Sequence, residues 1–398
     1  MIKFKTASFV FLILVILNLA CFADTFTNRK TNEILHGYIT SQTVDNNTVV
    51  QTKEKGQANL NLAEWTIAAD RNGRNNKVVV LTLNGPILRE IETAAFEKAI
   101  ARVSGEGPLF VLLEIDTPGG DISLAQRICA AITKAGNCHV IGFVKGGEFG
   151  GALSAGAAVA FACGKIYMAN NTVIGAAAVI ALDKKGPKSI RDEYGEDIGE
   201  KFSSAWRGYM ASLAEHNNRP GLLARAMVDK DIEVIEVRQE GKRIFIDPVN
   251  KKERQEVVHT WNKKGSLLTL TASEAVNCEV ADKVVDSRGE LLSQLDAAGA
   301  ELVVNTAVQD AGREFEKVKL KCEGIRKSLD LKFKEIENSQ TSASALKLLR
   351  EIKSDCQTVI KLANDYPDLH VDVQNLEELQ NSVEAEYKDV KTHTRRRR

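Results

Sequence analysis

Three hydrophobic rhythms follow one another along the chain. From Asp24 to about Asp70, short alternating runs such as Leu35 to Thr40 and Thr48 to Thr52 are separated by Asn and Gly turns, which predicts a small β module. It has too few residues for a large core and must lean on a neighbour or a partner. Polar Arg71 to Asn76 reads as a linker. From Lys77 strongly apolar runs (Val78 to Leu83, Leu109 to Ile115, Val140 to Val144) alternate with amphipathic stretches at about Glu90 to Ser104 and Ser123 to Ala135. That alternation predicts a sheet covered by helices. A short apolar helix near Ser154 to Cys163 precedes a strand at Ile166 to Ala169. After Ala181 come a charged insertion, helices near Glu200 to His216 and Leu222 to Val228, and short strands up to about Val285. Beyond Val308 the period changes again: Val308, Ala311, Phe315, Val318, Cys322, Ile325 and Leu329 step by three and four, as in a coiled coil. Ala345 to Tyr366 and Leu376 to Tyr387 repeat the pattern, predicting a helical hairpin or three-helix bundle with Cys322 and Cys356 in its seam. The segments are therefore 1–23, a β module at 24–70, an α/β domain at 77–304, helices at 305–392 and a basic tail at 393–398.

With 398 residues, 44% hydrophobic and 27% charged, the chain can bury sizeable cores in two or three units. A formal charge of zero argues against nucleic acid, which demands a basic field over a face or helix. Arg395 to Arg398 are the one basic block. At the other end, Lys3 and Lys5 precede an uncharged apolar run from Thr6 to Ala23, an export signal that places the protein in the periplasm or cell envelope. Cleavage before Asp24, retention as an anchor and lipidation at Cys21 all fit that run. Six cysteines remain beyond it, so disulfides are permitted but not implied. No CxxC pair occurs and the six histidines are scattered, so neither metal nor cofactor is expected.

Two glycine-rich stretches stand where strands run into helices. Asp116-Thr117-Pro118-Gly119-Gly120 is a tight turn that lets backbone approach a ligand closely with its amides turned toward it. Gly146 to Gly156 places Ser154 at a helix start, where the amide of Ala155 is free to hold an oxyanion, with Gly119 or Gly120 as second donor. The competing reading is that Ser154 merely caps its helix. A nucleophilic serine needs a base. His139 begins a strand and His216 sits in a polar, solvated stretch, whereas Lys201 begins a helix whose Ala205, Gly208 and Ser212 permit close packing on one face. A free lysine has a pKa near ~10.4, so a basic Lys201 must be buried among apolar groups, at a cost to the fold of roughly 4 kcal/mol.

In order, these motifs resemble the NfeD-type membrane-bound serine proteases, related to signal peptide peptidase A. The matching stretches are Asp116 to Gly120, Ser154-Ala155-Gly156, Lys201 through Glu215, and Leu268 to Thr271 followed by Glu274-Ala275 and Ala281-Asp282. The resemblance implies a Clp-protease/crotonase-like spiral of ββα units, flanked here by the β module and the helical coiled-coil segment. It implies Ser154 as nucleophile, Lys201 as general base, and Gly119, Gly120 and Ala155 around the oxyanion. It also implies peptide-bond cleavage in apolar segments of envelope or membrane proteins, within a homo-oligomer, the coiled coil being free to recruit a protein partner. Glu279 departs from the family pattern, which has glycine there. Two other functions fit the same residues: an idle protease-fold scaffold that gathers envelope partners, and acyl-CoA chemistry on the crotonase-like fold.

Overall fold

The computed structural model describes residues 24–396 except 40–46, 53, 69–74, 136–137, 184–185, 296, 299 and 340. The export segment, most of the 71–76 linker, Lys184, Lys185 and the last two arginines lie outside the described residues. The chain forms two compact units, one of residues up to Ile87 together with Phe96–Thr306, the other of Leu88–Ala95 with Ala307–Arg398.

In the first unit, the strands Asp24–Asn28, Ile34–Ile39, Asn47–Thr52, Gly56–Asn61 and Trp65–Ala68 form a five-stranded antiparallel sheet around Phe26, Leu35, Val50, Leu60 and Trp65. The main sheet follows, with six parallel strands in the order Lys283–Val284, Lys165–Met168, His139–Val144, Pro108–Asp116, Asn75–Asn84, Glu301–Val304. Pro108–Asp116 is buried at every position, which is why its sequence is a continuous apolar run instead of an alternation.

Each central strand of this sheet leads into a second, shorter ladder and then into a helix. Asn75–Asn84 leads to Ile87 and the helix Glu90–Glu106, and Pro108–Asp116 to Thr117, Gly120 and the helix Ile122–Lys134. His139–Val144 leads to Gly151–Leu153 and the helix Ala155–Ala162. The short segments pair in parallel, Ile87 with Gly120, Thr117 with Ala152, and Gly151–Leu153 with Val173–Gly175. This repetition is a spiral of ββα units, as the motif order implies. The second ladder is where the chain turns from strand to helix, so it gathers the glycine-rich turns at one edge of the domain. The helices Ile190–Tyr194, Glu196–His216 and Gly221–Val228 follow.

The second unit holds the helices Ala307–Glu337, Ser342–Asp365 and Val373–Arg396. Their seam buries Leu329, Leu349, Ile352, Cys356 and Val383, positions set by the three-four stepping of apolar residues. Among the described residues, no helix is long and apolar enough to cross a membrane.

Candidate active site

Ser154 stands between the strand Gly151–Leu153 and the helix Ala155–Ala162, whose residues are all buried. Its backbone adopts φ 53° and ψ −124°, a conformation that L side chains avoid and that costs of order 1–3 kcal/mol. Its amide donates to the Gly175 carbonyl at 2.8 Å, and its hydroxyl forms no capping bond to the helix it heads. Ser154 is therefore not a helix cap in the ordinary sense, and its side chain is half-buried without a capping bond.

The Pro118-Gly119-Gly120 turn is pressed against this serine. A Cβ on Gly119 would lie 2.5 Å from the Ser154 Cβ and 2.9 Å from the Ala155 nitrogen, so only glycine fits, and its φ of +95° makes the same demand. Among the described residues, the Ala155 and Gly120 amides donate to no acceptor, while the Gly119 amide donates to Thr117 Oγ1 at 3.1 Å. Free amides beside a hydroxyl at a helix N-terminus suit a developing negative charge.

The sequence marks Asp116 only as the start of the glycine turn and does not single out Arg219. Asp116 is buried and accepts from the Gly151 amide at 3.1 Å and the Phe149 amide at 3.2 Å, so it holds the loop that delivers Ser154. A Cβ on Gly147 would come within 2.4 Å of the Asp116 Oδ2, which explains one glycine of that loop. Thr117 continues the brace by donating its hydroxyl to the Gly85 carbonyl at 2.7 Å. At the far end of the 155–162 helix, Arg219, 6% exposed, donates to the carbonyls of Cys163 and Gly164 at 3.3 Å and to Asp282 at 3.0 Å. The Asn217 amide reaches the Phe161 carbonyl at 2.8 Å. His216 and Asn218 are exposed, as their polar surroundings predict, while Asn217 and the buried Arg219 clamp the end of the serine helix. Asp116 was signalled by a carboxylate at the end of a buried strand, and Arg219 by an arginine directly before Pro220.

Lys201 lies elsewhere. The helix Glu196–His216 buries Trp206, Met210, Ala211, Leu213 and Ala214, and steps of about 100° per residue place Lys201 roughly half a turn from that face. Lys201 is exposed and forms no hydrogen bond with Ser154, so the expected burial of its amine does not occur within this chain. The small residues expected to pack beside it do not do so either. Ala205 and Ser212 are exposed, and a Cβ on Gly208 would meet nothing within 4 Å. The reason lies at Trp206, whose Nε1 donates to the Ala177 carbonyl at 3.1 Å, and at Arg207, paired with Asp229. Together they fix the opposite face inward. His139 and His216 are both exposed, and neither hydrogen-bonds Ser154.

No group of His, Cys, Asp and Glu among the described residues is arranged to hold a metal. Cys129, Cys163, Cys278, Cys322 and Cys356 are buried and unbridged. Burial pushes the Cys163 and Cys278 thiols up to about 12, far from the thiolate a cysteine nucleophile requires. A cleft of about 450 Å³ is lined by apolar Val179, Ile180 and Leu267 and by charged Arg191, Asp192 and Asp229, and neither Ser154 nor the glycines of its turn line it.

Residues 77–257 match the family model of the NfeD1b N-terminal domain. Membrane protein NfeD1b of Bacillus subtilis (strain 168) is 29% identical over 192 residues, covering 48% of this chain and 35% of that protein. The chain thus spans about a third of that relative's length. Among solved structures, the 1510-N membrane protease specific for a stomatin homolog, from Pyrococcus horikoshii, is 21% identical, with 58% of this chain and 92% of that one covered and a TM-score of 0.37. A mutant form of the 1510-N membrane-bound stomatin-specific protease is 20% identical, with 58% and 98% covered and a TM-score of 0.42.

Proposed function

We propose that residues 77–304 form a serine endopeptidase that cleaves peptide bonds through an acyl-enzyme. The observation that carries this reading is Ser154 itself: a strained residue at a helix start with an uncapped hydroxyl, a glycine held against its Cβ and unspent amides beside it. A serine that only capped its helix would use that hydroxyl and would not need the strain. In the reaction the Ser154 Oγ attacks the peptide carbonyl while its proton passes to the base. The oxyanion settles on the Ala155 and Gly120 amides, with Gly119 joining if it exchanges Thr117 for the substrate. Each such donor contributes on the order of 3 kcal/mol. An extended peptide lies along the second ladder, and the substrates are apolar segments of envelope or membrane proteins.

Lys201 is the proposed base, supplied by a second copy of the chain. Its helix is pinned with the lysine outward, and Tyr194, Ile198 and Phe202, each 50–55% exposed, give that surface apolar groups that a covering partner would use to desolvate the amine. The test is labelling of signal-free protein with a fluorophosphonate, alongside peptide cleavage by wild type, Ser154→Ala and Lys201→Ala. Labelling and cleavage that vanish in both variants uphold the reading, and equal activity in all three proteins rejects it.

The outward Lys201 also favours a second reading, an idle scaffold that gathers envelope partners. It predicts no labelling of Ser154 at any protein concentration, whereas a site completed by two copies labels more strongly as concentration rises.

A further inference from the structure

Thr117, between the strand Pro108–Asp116 and the Pro118-Gly119-Gly120 turn, is fully buried and spends both of its backbone groups on the serine loop. Its amide donates to the Gly151 carbonyl at 2.8 Å, and its carbonyl accepts from the Leu153 amide at 3.0 Å. Its side chain is divided between the two halves of the site. The methyl group abuts the serine helix, where a Cβ on Gly156 would collide with Thr117 Cγ2. The hydroxyl serves the glycine turn: it donates its single proton to the Gly85 carbonyl at 2.7 Å and accepts from the Gly119 amide at 3.1 Å. Gly85 is itself fixed, because its amide donates to the Asp116 carbonyl at 3.0 Å.

These bonds decide where the next amide points. A trans peptide is planar, with its C=O and N–H directed to opposite sides. The Gly119 carbonyl accepts from the Ile87 amide at 2.8 Å, so the Gly120 N–H of the same peptide is turned away from Ile87, and it donates to no acceptor among the described residues. Gly119, at φ +95°, is the swivel between this peptide and the one before it, since it has no Cβ to restrict either. Ile87 pins the plane that follows the swivel. The Thr117 hydroxyl pins the plane that precedes it.

We propose that Thr117 is a positioning residue for the serine chemistry: its hydroxyl locks the Gly119 swivel so that the Gly120 amide stays aimed at the oxyanion, while its methyl sets the spacing between that turn and the Ser154 helix. Every residue of this arrangement belongs to the first unit. The inference rests on the hydrolase reading, so its test carries a readout independent of catalysis.

In the signal-free chain, Thr117→Val keeps the branched shape and removes the hydroxyl, whereas Thr117→Ser keeps the hydroxyl and removes the methyl. Hydrogen exchange of the Gly119 amide, read by NMR, should speed up about tenfold in Thr117→Val and stay near wild type in Thr117→Ser. The fluorophosphonate labelling rate and kcat should drop about 10- to 100-fold in Thr117→Val with KM nearly unchanged, and should recover most of that loss in Thr117→Ser. If Thr117→Val fails to fold, Thr117→Ala is set against Thr117→Ser, a pair that differs by the same hydroxyl. Equal losses in the valine and serine variants mean a packing role alone and overturn the proposal. A labelling rate that rises in Thr117→Val also overturns it, because the hydroxyl would then be competing with substrate for the Gly119 amide. A wild type that is not labelled, with Gly119 exchange faster only in Thr117→Val, overturns the hydrolase reading and leaves the hold of Thr117 on the turn standing.

Discussion

The surroundings of Ser154 and those of Lys201 are built to opposite specifications. Around the serine, Asp116, Thr117, Gly119, Gly175 and the Arg219 clamp each fix one atom or one end of the element that carries it. Around the lysine, side chains of the same helix face solvent, and what is fixed is the opposite face, through Trp206 and Arg207. The difference teaches that the nucleophile half of the proposed dyad is preorganised by the fold of one chain, while the base half depends on something that covers an outward face. Preorganisation of the first kind is what makes oxyanion stabilisation cheap at the moment of reaction.

The sharpest way to break this contrast is to remove the serine. Ser154→Ala should lower peptide hydrolysis at least about 10³-fold and leave the melting temperature unchanged or higher, since it deletes no capping bond. Unchanged hydrolysis would mean that the braced serine is ornamental. Gly119→Ala should follow with a loss of about 10²-fold or more in kcat, because its methyl enters the space of the Ser154 Cβ. It should also cost about 1–3 kcal/mol of stability, read by urea unfolding. Mixing inactive Ser154→Ala with inactive Lys201→Ala should restore activity, up to about a quarter of wild type if the assembly is a two-fold dimer. No recovery after co-refolding would place the lysine in its own chain and require its helix to turn.

Two carboxylates sharpen the contrast between completed and crowded surroundings in a pH titration of stability. Hydrogen bonding to Arg243 is the main cause that holds Glu236 below the usual carboxylate range, with Trp261 helping. Its contribution is complete at neutral pH and is lost as pH falls through that lowered value. Burial is the main cause that raises Glu92, with Asp368 and Glu316 adding repulsion and Arg89 opposing. Its folded state favours the protonated form, so its ionisation weakens the fold as pH rises through the raised value. Glu236→Gln should therefore destabilise most at neutral pH, whereas Glu92→Gln should stabilise there and converge on wild type in acid.

The smallest effect concerns Glu279. Its φ of +63° is the conformation glycine adopts freely, so Glu279→Gly should raise stability by about 0.5–1 kcal/mol in chemical denaturation.

The elements legible in the sequence were those whose burial pattern is local. The run from Leu109 to Ile115 and the stretch from about Glu90 to Ser104 correspond to the strand Pro108–Asp116 and the helix Glu90–Glu106. The turn glycines were legible because a positive φ or a close approach leaves no other residue possible. The direction of Lys201 was not. Ala205, Gly208 and Ser212 permit packing without compelling it, and the rotation of that helix follows from Trp206 meeting the distant Ala177 carbonyl, with Met210 buried on the same side. The bracing role of Asp116, and Arg219 altogether, were hidden for a related reason, because their acceptors and donors are backbone groups brought close only by folding.

Trp206 has one more consequence. Its indole is hydrogen-bonded two residues past the Gly175 carbonyl that anchors Ser154, and it rides on the helix that presents Lys201. That makes it a natural optical gauge. A tightening or loosening of this helix on assembly or peptide capture changes the polarity felt by a ring only 3% exposed, and so shifts its emission. With Trp65 and Trp261 replaced by phenylalanine, the chain would report on itself without an added dye.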